Sequence, residues 1–221
     1  MKTNMFRKNK IPSLIIAMFF AQNLLYAGAN SDLIEAAKRE DSANVKILLQ
    51  DALPSTRDDD GFSALYYAVL AGNEEIVRLL INAGADVNMR YKDDSTVLMH
   101  AATKGYYNIA KRIIQAGANP NAIDGNEKTA LIYAVQNGRD DIVKMIINLG
   151  VNVNASDNRG RTALMYAAEY GYCHMIKLLA AKGANMKATD NEDKTALNLA
   201  QERKHIDAIK LIEKLLRNSE H

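Results

Sequence analysis

A leucine recurs five times in this chain at a constant spacing of 33 residues. The members of this column are Leu65, Leu98, Leu131, Leu164 and Leu197. Each has Ser or Thr two positions before it and Ala three positions after it, and glycines recur at two further places in the same register. A fixed period of about 20 to 50 residues is typical of solenoids, in which each unit buries its apolar face against the next.

The unit at residues 129–150 illustrates how one repeat folds. Thr129 is a natural N-cap and Gly138 a natural stop, so the two bound a short helix. On its apolar face, the small Ala134 lets the neighbouring helix approach closely. A second apolar segment ends at Gly150, and loops rich in Gly, Asn and Asp join the units. The pattern predicts an all-α repeat solenoid of helix-turn-helix units joined by β-hairpin-like loops.

The repeat resembles the ankyrin repeat, whose unit reads roughly D-x-x-G-x-T-P-L-H-x-A-A and continues into a helix that ends L-L-x-x-G-A-D-x-N. The matching residues of one unit are Asp157, Gly160, Thr162, Leu164, Ala167, Ala168, Gly171, Leu178, Leu179, Gly183, Ala184 and Asn185. The resemblance covers residues 31–217. It implies stacked ankyrin repeats that form a scaffold for binding other proteins.

The chain departs from the family pattern mainly in its loops. Ala or Val stands in place of the family's proline, and Asp94, Glu127 and Asp193 replace the glycine of the turn in three units. Tyr91 interrupts a column of aspartates that consists of Asp58, Asp124, Asp157 and Asp190. We expect these substitutions to affect local turn geometry and stability and to leave the fold unchanged.

Six units fit the repeating part of the chain. The predicted divisions are an N-terminal capping repeat at 30–58, ankyrin repeats at 59–91, 92–124, 125–157 and 158–190, and a C-terminal capping repeat at 191–221. The first unit aligns at an offset of 31 residues, and in the last unit Gln201 and Lys204 replace the repeated Ala and Gly. Terminal repeats with polar outer faces keep a solenoid soluble.

Residues 1–29 have the composition of a secretory signal peptide, and the many Asn, Lys and Ile residues favour a bacterial source. Four cations and no acidic residue precede an apolar stretch, which is followed by a cleavage motif of small residues, Ala27, Gly28 and Ala29. Cleavage after Ala29 is preferred to cleavage after Ala27, because small residues then fill both positions that the peptidase reads. One alternative is an uncleaved membrane anchor, but the longest unbroken apolar run, residues 14–21, is far shorter than the roughly 20 residues that a membrane-spanning helix needs. The other alternative is a cytosolic N-terminus. We expect an exported protein, periplasmic or secreted, with no membrane span after cleavage.

The net charge of the chain depends on this leader. The whole chain has a formal net charge of +2, but without the four leader cations 24 cations face 26 anions, which gives −2. The mature chain therefore has no global electrostatic reason to bind nucleic acid. Cys173 is the single cysteine, so the exported chain has no internal disulfide and depends on packing for its stability. We expect a monomer.

No catalytic, cofactor or metal signature is present in the sequence. It has no phosphate-binding glycine loop and no nucleophile or metalloprotease motif. Cys173 and His174 are neighbours, but one such pair does not complete a tetrahedral metal site, and we expect an inert, half-buried thiol. The run from Asp58 to Gly61 lacks the further ligands of a calcium loop and is interpreted as a solvated turn.

One column of the first helix is mainly aromatic. The residue two positions after the repeated leucine lies about 200° around the helix from it and is expected to point away from the core. The column consists of Tyr67, His100, Tyr133, Tyr166 and Leu199, and Tyr170 lies one turn beyond Tyr166. Tyrosine is favoured at binding surfaces. We therefore predict that Tyr67, His100, Tyr133, Tyr166 and Tyr170 line a concave partner-binding face; the alternative, which is compatible with it, is that these rings fill gaps along the inner helices.

These features favour a non-enzymatic module that binds an unidentified protein. Charges of both signs are mixed at the tips of the predicted hairpins, which fits a protein partner better than a phosphate backbone. Two roles remain open: a secreted bacterial effector, and a periplasmic protein that stabilises or protects an envelope enzyme.

Overall fold

The computed structural model describes residues 28–218, which form twelve helices and no extended strand. The first helix, α1, covers residues 28–38. The others are α2 (Ser42–Leu48), α3 (Ala64–Ala71), α4 (Glu74–Asn82), α5 (Val97–Lys104), α6 (Tyr107–Gln115), α7 (Ala130–Gln136), α8 (Asp140–Ile147), α9 (Ala163–Glu169), α10 (Cys173–Ala181), α11 (Ala196–Glu202) and α12 (Ile206–Asn218). The helices form six successive pairs, which confirms the predicted all-α repeat solenoid.

The first helix of each repeat starts at the predicted cap. The side-chain oxygen of Thr129 accepts a hydrogen bond from the amide of Ile132, at 3.2 Å. The equivalent caps of the other inner helices are Ser63, Thr96, Thr162 and Thr195. Each cap satisfies an amide that would otherwise have no partner at the start of a helix.

Two layers of helices result from the pairing. The inner layer contains α3, α5, α7, α9 and α11, and the outer layer contains α4, α6, α8, α10 and α12. An alanine with no exposed surface lies in each inner helix: Ala68, Ala101, Ala134, Ala167 and Ala200. Because alanine occupies little space, neighbouring inner helices contact each other more extensively than neighbouring outer helices do. The stack therefore curves, with the inner helices on its concave side.

Five hairpins connect the repeats, and each closes with the same backbone bond. In one of them the amide of Asp124 donates to the carbonyl of Lys128, at 3.0 Å. The turn residue is left-handed in every hairpin, with Gly61 and Gly160 in two units and Asp94, Glu127 and Asp193 in the others, at φ values from 57° to 87°. The expected change of turn geometry at the three substituted positions is therefore wrong: the hairpin imposes a left-handed conformation on a side-chain-bearing residue, at a conformational cost.

The tips of the hairpins also bond to one another. Three backbone bonds of this kind are present in the described part of the chain, each at 2.9 Å. The amides of Gly125, Asn158 and Asn191 donate to the carbonyls of Asp93, Asn126 and Arg159, respectively. Among the described residues no such bond joins the first hairpin to the second, where Lys92 instead lies 3.8 Å from Asp60. The regular ladder thus begins at the second hairpin.

The predicted signal peptide lies almost entirely outside the described residues, because residues 1–27 are not among them. Ala29 packs against the core at the start of α1, and the side chain of Asn30 accepts a hydrogen bond from the amide of Leu53, at 2.7 Å. Between residues 28 and 218, none of the helices is both long enough and apolar enough to cross a bilayer. The cleavage site and the boundaries of the six units stay predictions.

Candidate functional site

Three tyrosines of the predicted contact column bind carboxylates of their own repeats. The hydroxyl of Tyr67 donates to Asp58 at 2.8 Å, Tyr133 donates to Asp124 at 2.5 Å, and Tyr166 donates to Asp157 at 2.5 Å. In each pair the aspartate lies nine residues earlier, at the start of the hairpin that leads into the inner helix. The bond therefore holds the hairpin against its helix, and we refer to these three pairs as the tyrosine latches.

The expected outward orientation of this column is wrong for two of its members. Tyr166 is only 2% exposed, and Leu199 is buried as well. The helical wheel describes one isolated helix, but the hairpin folds back over this position and covers it. Tyr166 is therefore not accessible to a partner in this structure. Tyr67, His100 and Tyr133 are half-buried, and Tyr170 is 45% exposed; their predicted role in partner binding stays a prediction.

Cations of the chain itself cover the rings of the tyrosine latches. The ammonium of Lys38 lies 4.7 Å from the centre of the Tyr67 ring, and that of Lys128 lies 5.5 Å from Tyr133 and 5.8 Å from Tyr166. Such cation–π contacts stabilise the rings in place. Burial, together with the hydrogen bond to Asp157, raises the pKa of Tyr166 to about 12. The three latches are thus largely satisfied within the chain.

The second full repeat lacks a latch, because both partners differ. Tyr91 replaces the aspartate and His100 replaces the tyrosine. Tyr91 is buried, and its hydroxyl lies 3.0 Å from the hydroxyl of Ser63; burial raises its pKa to about 12. The Nε2 atom of His100 lies 3.0 Å from the hydroxyl of Ser95. Burial lowers the pKa of His100, so its imidazole is neutral at neutral pH.

Five aromatic side chains converge where this latch is missing. They are Phe62, Tyr66, Tyr67, Tyr91 and His100, and we refer to them as the aromatic cluster. Tyr66 lies at its centre: its ring is stacked on Phe62 with centroids 4.3 Å apart and meets the edge of His100 at 5.0 Å. The Tyr66 and Tyr91 centroids are 4.7 Å apart. This cluster forms a half-buried aromatic surface beside the first two hairpins.

Sequence reasoning missed the central residue of this cluster. Tyr66 follows the repeated leucine directly, and the equivalent residues Met99, Ile132 and Met165 are buried. Three members of the column are thus in the core, although Asn198 in the last unit is exposed, and the aromatic neighbours Phe62 and Tyr91 distinguish the position of Tyr66. The sequence did contain a signal that could have located the cluster: the same unit departs from the repeat at two positions, with Tyr91 in place of Asp and His100 in place of Tyr.

The other end of the inner face is organised by charges. Arg161 contacts Glu169 at 2.8 Å and Asp190 at 3.2 Å, and Arg203 contacts Glu169 at 2.7 Å. Tyr170 stacks on Tyr172, with ring centroids 5.7 Å apart. This end therefore presents one exposed tyrosine above a largely buried ionic network.

The remaining sequence candidates do not assemble into a chemical site. Cys173 is half-buried, and His174 contacts Asp140 at 2.7 Å on the outer layer. No group of three or more potential metal ligands occurs within residues 28–218. A depression of about 310 Å³ between α1 and the first hairpin is lined by Lys38 and Asp58, which pair with each other at 3.3 Å.

Comparison with known proteins points to one family. A family model described as ankyrin repeats (3 copies) matches three overlapping segments, residues 33–124, 98–190 and 131–219. Caskin-1 of Rattus norvegicus is 38% identical over 76 residues, which cover 28% of this chain and 5% of that protein. The putative ankyrin repeat protein R96 of Acanthamoeba polyphaga mimivirus is 33% identical over 95 residues, which cover 40% of this chain and 9% of that protein.

A further relative is the interferon antagonist OPG040 of vaccinia virus (strain Western Reserve). It is 46% identical over 66 residues, which cover 26% of this chain and 23% of that protein. This chain thus spans less than a quarter of each of these three relatives.

Proposed function

Since the chain belongs to the ankyrin repeat family, we propose that it is a non-enzymatic scaffold that binds a protein partner on its concave face. One observation carries this proposal: the inner helices bear large side chains that take no part in the core. Leu70 on α3 is 40% exposed, Lys104 ends α5 in an exposed position, and Tyr170 follows α9. Together with the aromatic cluster, they lie on or next to the inner helices.

The chemistry of this series suits a protein surface. Exposed tyrosine and leucine bury much area on contact, and the charges around them have both signs. The rigid stack also presents its side chains without prior ordering, which lowers the entropic cost of association.

We propose further that the protein acts outside the cytoplasm, on the strength of the leader at residues 1–29. Two roles fit an exported scaffold of this kind. A secreted effector would bind a protein of another organism, and a periplasmic protein would stabilise or protect an envelope enzyme. Fractionation of cells that produce the tagged full-length chain separates these roles: recovery from the medium favours the effector, and retention in the periplasm favours the protective role.

The binding face is tested by cross-linking and capture with the tagged full-length chain. The test variant combines Leu70→Ser, Lys104→Ser and Tyr170→Ser on the inner face. Its matched control makes the same three exchanges in or next to outer helices, with Leu149→Ser, Lys111→Ser and Tyr107→Ser; all six positions are exposed. We expect one dominant partner that the inner-face variant loses and the control retains, with unchanged circular dichroism for both. Loss in the control alone would place the interface on the convex side and contradict the proposal.

A further inference from the structure

The aromatic cluster contains one tyrosine that the chain itself leaves available. The hydroxyls of Tyr67 and Tyr91 have hydrogen-bond partners, and their rings have Lys38 and Arg57 at 4.7 Å and 5.6 Å. Tyr66 has neither a hydroxyl partner nor a cation over its ring among residues 28–218, and it is half-buried rather than buried. Its hydroxyl can therefore receive a hydrogen bond from outside the chain.

An exposed carboxylate without an ion-pair partner among the described residues lies beside this tyrosine. The amide of Ser95 donates to Oδ1 of Asp93 at 3.1 Å, and the hydroxyl of the same serine lies 3.0 Å from Nε2 of His100, whose ring contacts Tyr66. Consistent with this placement, the charge of Asp93 adds to burial in raising the pKa of Tyr66 and opposes burial, which lowers the pKa of His100. Burial alone would raise the pKa of Asp93 itself, but its hydrogen bonds with Ser95 lower it, so the group is ionised at neutral pH. Asp93 thus places a negative charge next to the open edge of the cluster.

The cations of the first two hairpins are engaged within the chain, and Arg90 among them donates to the carbonyls of Asp94 and Ile123. Arg57 donates to the carbonyl of Gly61 at 2.9 Å and lies over Tyr91, and Lys92 pairs with Asp60. Lys104 acts on His100 only through its charge, and lowers its pKa. Asp59 and Asp94 are also exposed in these two hairpins. The charge around Tyr66 is therefore complementary to a cation supplied by a partner.

We propose that Tyr66, His100, Phe62 and Asp93 form a pocket for an arginine side chain of the partner protein. The guanidinium pairs with the Asp93 carboxylate and donates a second hydrogen bond to the Tyr66 hydroxyl, while the rings of Phe62 and His100 contact its apolar stem. Arginine suits this arrangement better than lysine, because its planar fork serves two acceptors at once and packs flat against aromatic rings. This proposal rests on the proposed function and specifies which side chain of the partner the concave face recognises.

The pocket is tested with a defined probe, so that no partner has to be known. The purified ¹⁵N-labelled full chain is titrated with the blocked peptide Gly-Ser-Arg-Ser-Gly and with the same peptide carrying citrulline, the neutral isostere of arginine. We expect the arginine peptide to shift the resonances of Tyr66, Asp93 and His100 with a millimolar dissociation constant. The citrulline peptide should bind about tenfold more weakly, because it lacks the charge-assisted bond.

Variants with opposite expected effects make the test specific. Asp93→Asn should weaken binding of the arginine peptide about tenfold, whereas Asp94→Asn, the same change at the next exposed position, should alter it less than about twofold. Lys104→Gln should strengthen binding by about two- to threefold, since it removes a repelling charge. Lys111→Gln on the outer layer serves as its control.

Three results would overturn the pocket: equal binding of the two peptides, an equal loss in Asp93→Asn and Asp94→Asn, or no shift at Tyr66. None of them touches the scaffold function, because capture of a partner by the inner face is measured separately. Conversely, a chain that binds the arginine peptide but captures no partner would contradict the scaffold proposal and leave the pocket intact.

Discussion

The hydroxyl of Tyr133 on α7 and the carboxylate of Asp124 in the preceding hairpin are 2.5 Å apart. The same carboxylate accepts the amides of Asn126 and Lys128, both at 2.9 Å. Asp124 therefore organises the turn with one oxygen and holds it to the inner helix with the other. The tyrosine latch is thus a device of the fold, repeated at Tyr67 and Tyr166, and it ties each hairpin to the helix that follows.

Removal of one latch hydroxyl should destabilise the protein measurably. Tyr133→Phe keeps the ring and its contact with Lys128, but removes the hydroxyl that donates a hydrogen bond to the carboxylate of Asp124. We expect the free energy of unfolding to fall by about 1 to 2 kcal/mol, as for other bonds between a neutral donor and a charged acceptor. Urea denaturation followed by circular dichroism measures this change. Tyr107→Phe, at an exposed position on α6, should change it by less than about 0.5 kcal/mol; equal losses would show that the latch contributes nothing specific.

The latches also predict sensitivity to alkaline pH. The pKa of Tyr166 is raised to about 12 in the folded chain, from an ordinary value of 10.0, by burial and by its bond to Asp157. A raised pKa means that the folded state keeps its proton when the unfolded state has lost it. The contribution of Tyr166 is therefore complete below pH 10 and decreases as the pH rises from 10 towards 12, by up to about 1.4 kcal/mol per pH unit.

This prediction is checked by urea denaturation at a series of alkaline pH values, with Tyr166→Phe as the comparison. The variant should lose less additional stability between pH 10 and pH 12 than the natural chain does. Parallel curves for the two proteins would mean that Tyr166 does not contribute to the alkaline transition.

The period of 33 residues was sufficient to predict the helices, their caps and the buried alanines, because each of these depends on local sequence and on the identical neighbour in the next repeat. Thr129 caps α7 and Ala134 is fully buried, as expected. The hairpins were less predictable. Glu127 occupies a left-handed conformation that its side chain disfavours, since the bonds on both sides of the turn decide its backbone.

The candidate site was only partly predictable, for a different reason. The position of Tyr166 on a helical wheel is correct, but its burial depends on a hairpin that the wheel does not include. The aspartates nine residues before Tyr67, Tyr133 and Tyr166 could have revealed that contact. Tyr66 could not be singled out by its column, because Met99, Ile132 and Met165 at the equivalent positions are buried.

Substitution of Gly72 should reveal how closely adjacent repeats approach. Gly72 has a φ of +78°, and a Cβ atom there would lie 2.8 Å from the Tyr106 ring of the next repeat. Gly84 has a φ of +89° but no atom within 4 Å of such a Cβ. Gly84→Ala should therefore cost about 1 kcal/mol, the backbone effect alone, and Gly72→Ala about 2 to 3 kcal/mol, because the ring must also move.

A double variant separates these two effects in thermal or urea denaturation. With Tyr106→Ala already present, Gly72→Ala should cost no more than Gly84→Ala, since the obstructing ring is gone. If the difference between the two glycine positions persists without Tyr106, the clash is not its cause.

Relief of the strained turn at Glu127 should stabilise the chain. Glu127 has a φ of 62°, whereas glycine adopts this conformation without steric cost. Glu127→Gly should raise the free energy of unfolding by about 0.5 to 1 kcal/mol, because removal of the strain exceeds the added freedom of the unfolded chain. The control is Glu192→Gly, at an exposed tip position that is not left-handed, which should lower stability. A loss in both variants would contradict the strain at Glu127.

The ionic network of Arg161 should be the most sensitive polar feature of the C-terminal repeats. Arg161 and Asp190 are 3.2 Å apart, with side chains only 13% and 2% exposed. Arg161→Met leaves the buried carboxylate of Asp190 without its cation and leaves Glu169 with Arg203 alone, and should cost about 3 kcal/mol in urea denaturation. The exposed pair of Lys144 and Asp141, at 3.9 Å, provides the control: Lys144→Met should change stability by less than about 0.5 kcal/mol.

Acid pH gives an independent test of the same network. Burial alone would raise the pKa of Asp190. The backbone amides of Lys194 and Glu192 and the side chain of Arg161 donate hydrogen bonds to this carboxylate and lower its pKa below the ordinary value of 3.8. A lowered pKa stabilises the folded state above pH 3.8, and this contribution is lost as the pH falls through the lower, folded value. Arg161→Met removes one cause of the lowered pKa, so the variant should lose less further stability on acidification than the natural chain. An unchanged acid dependence would mean that the backbone amides alone hold the Asp190 charge.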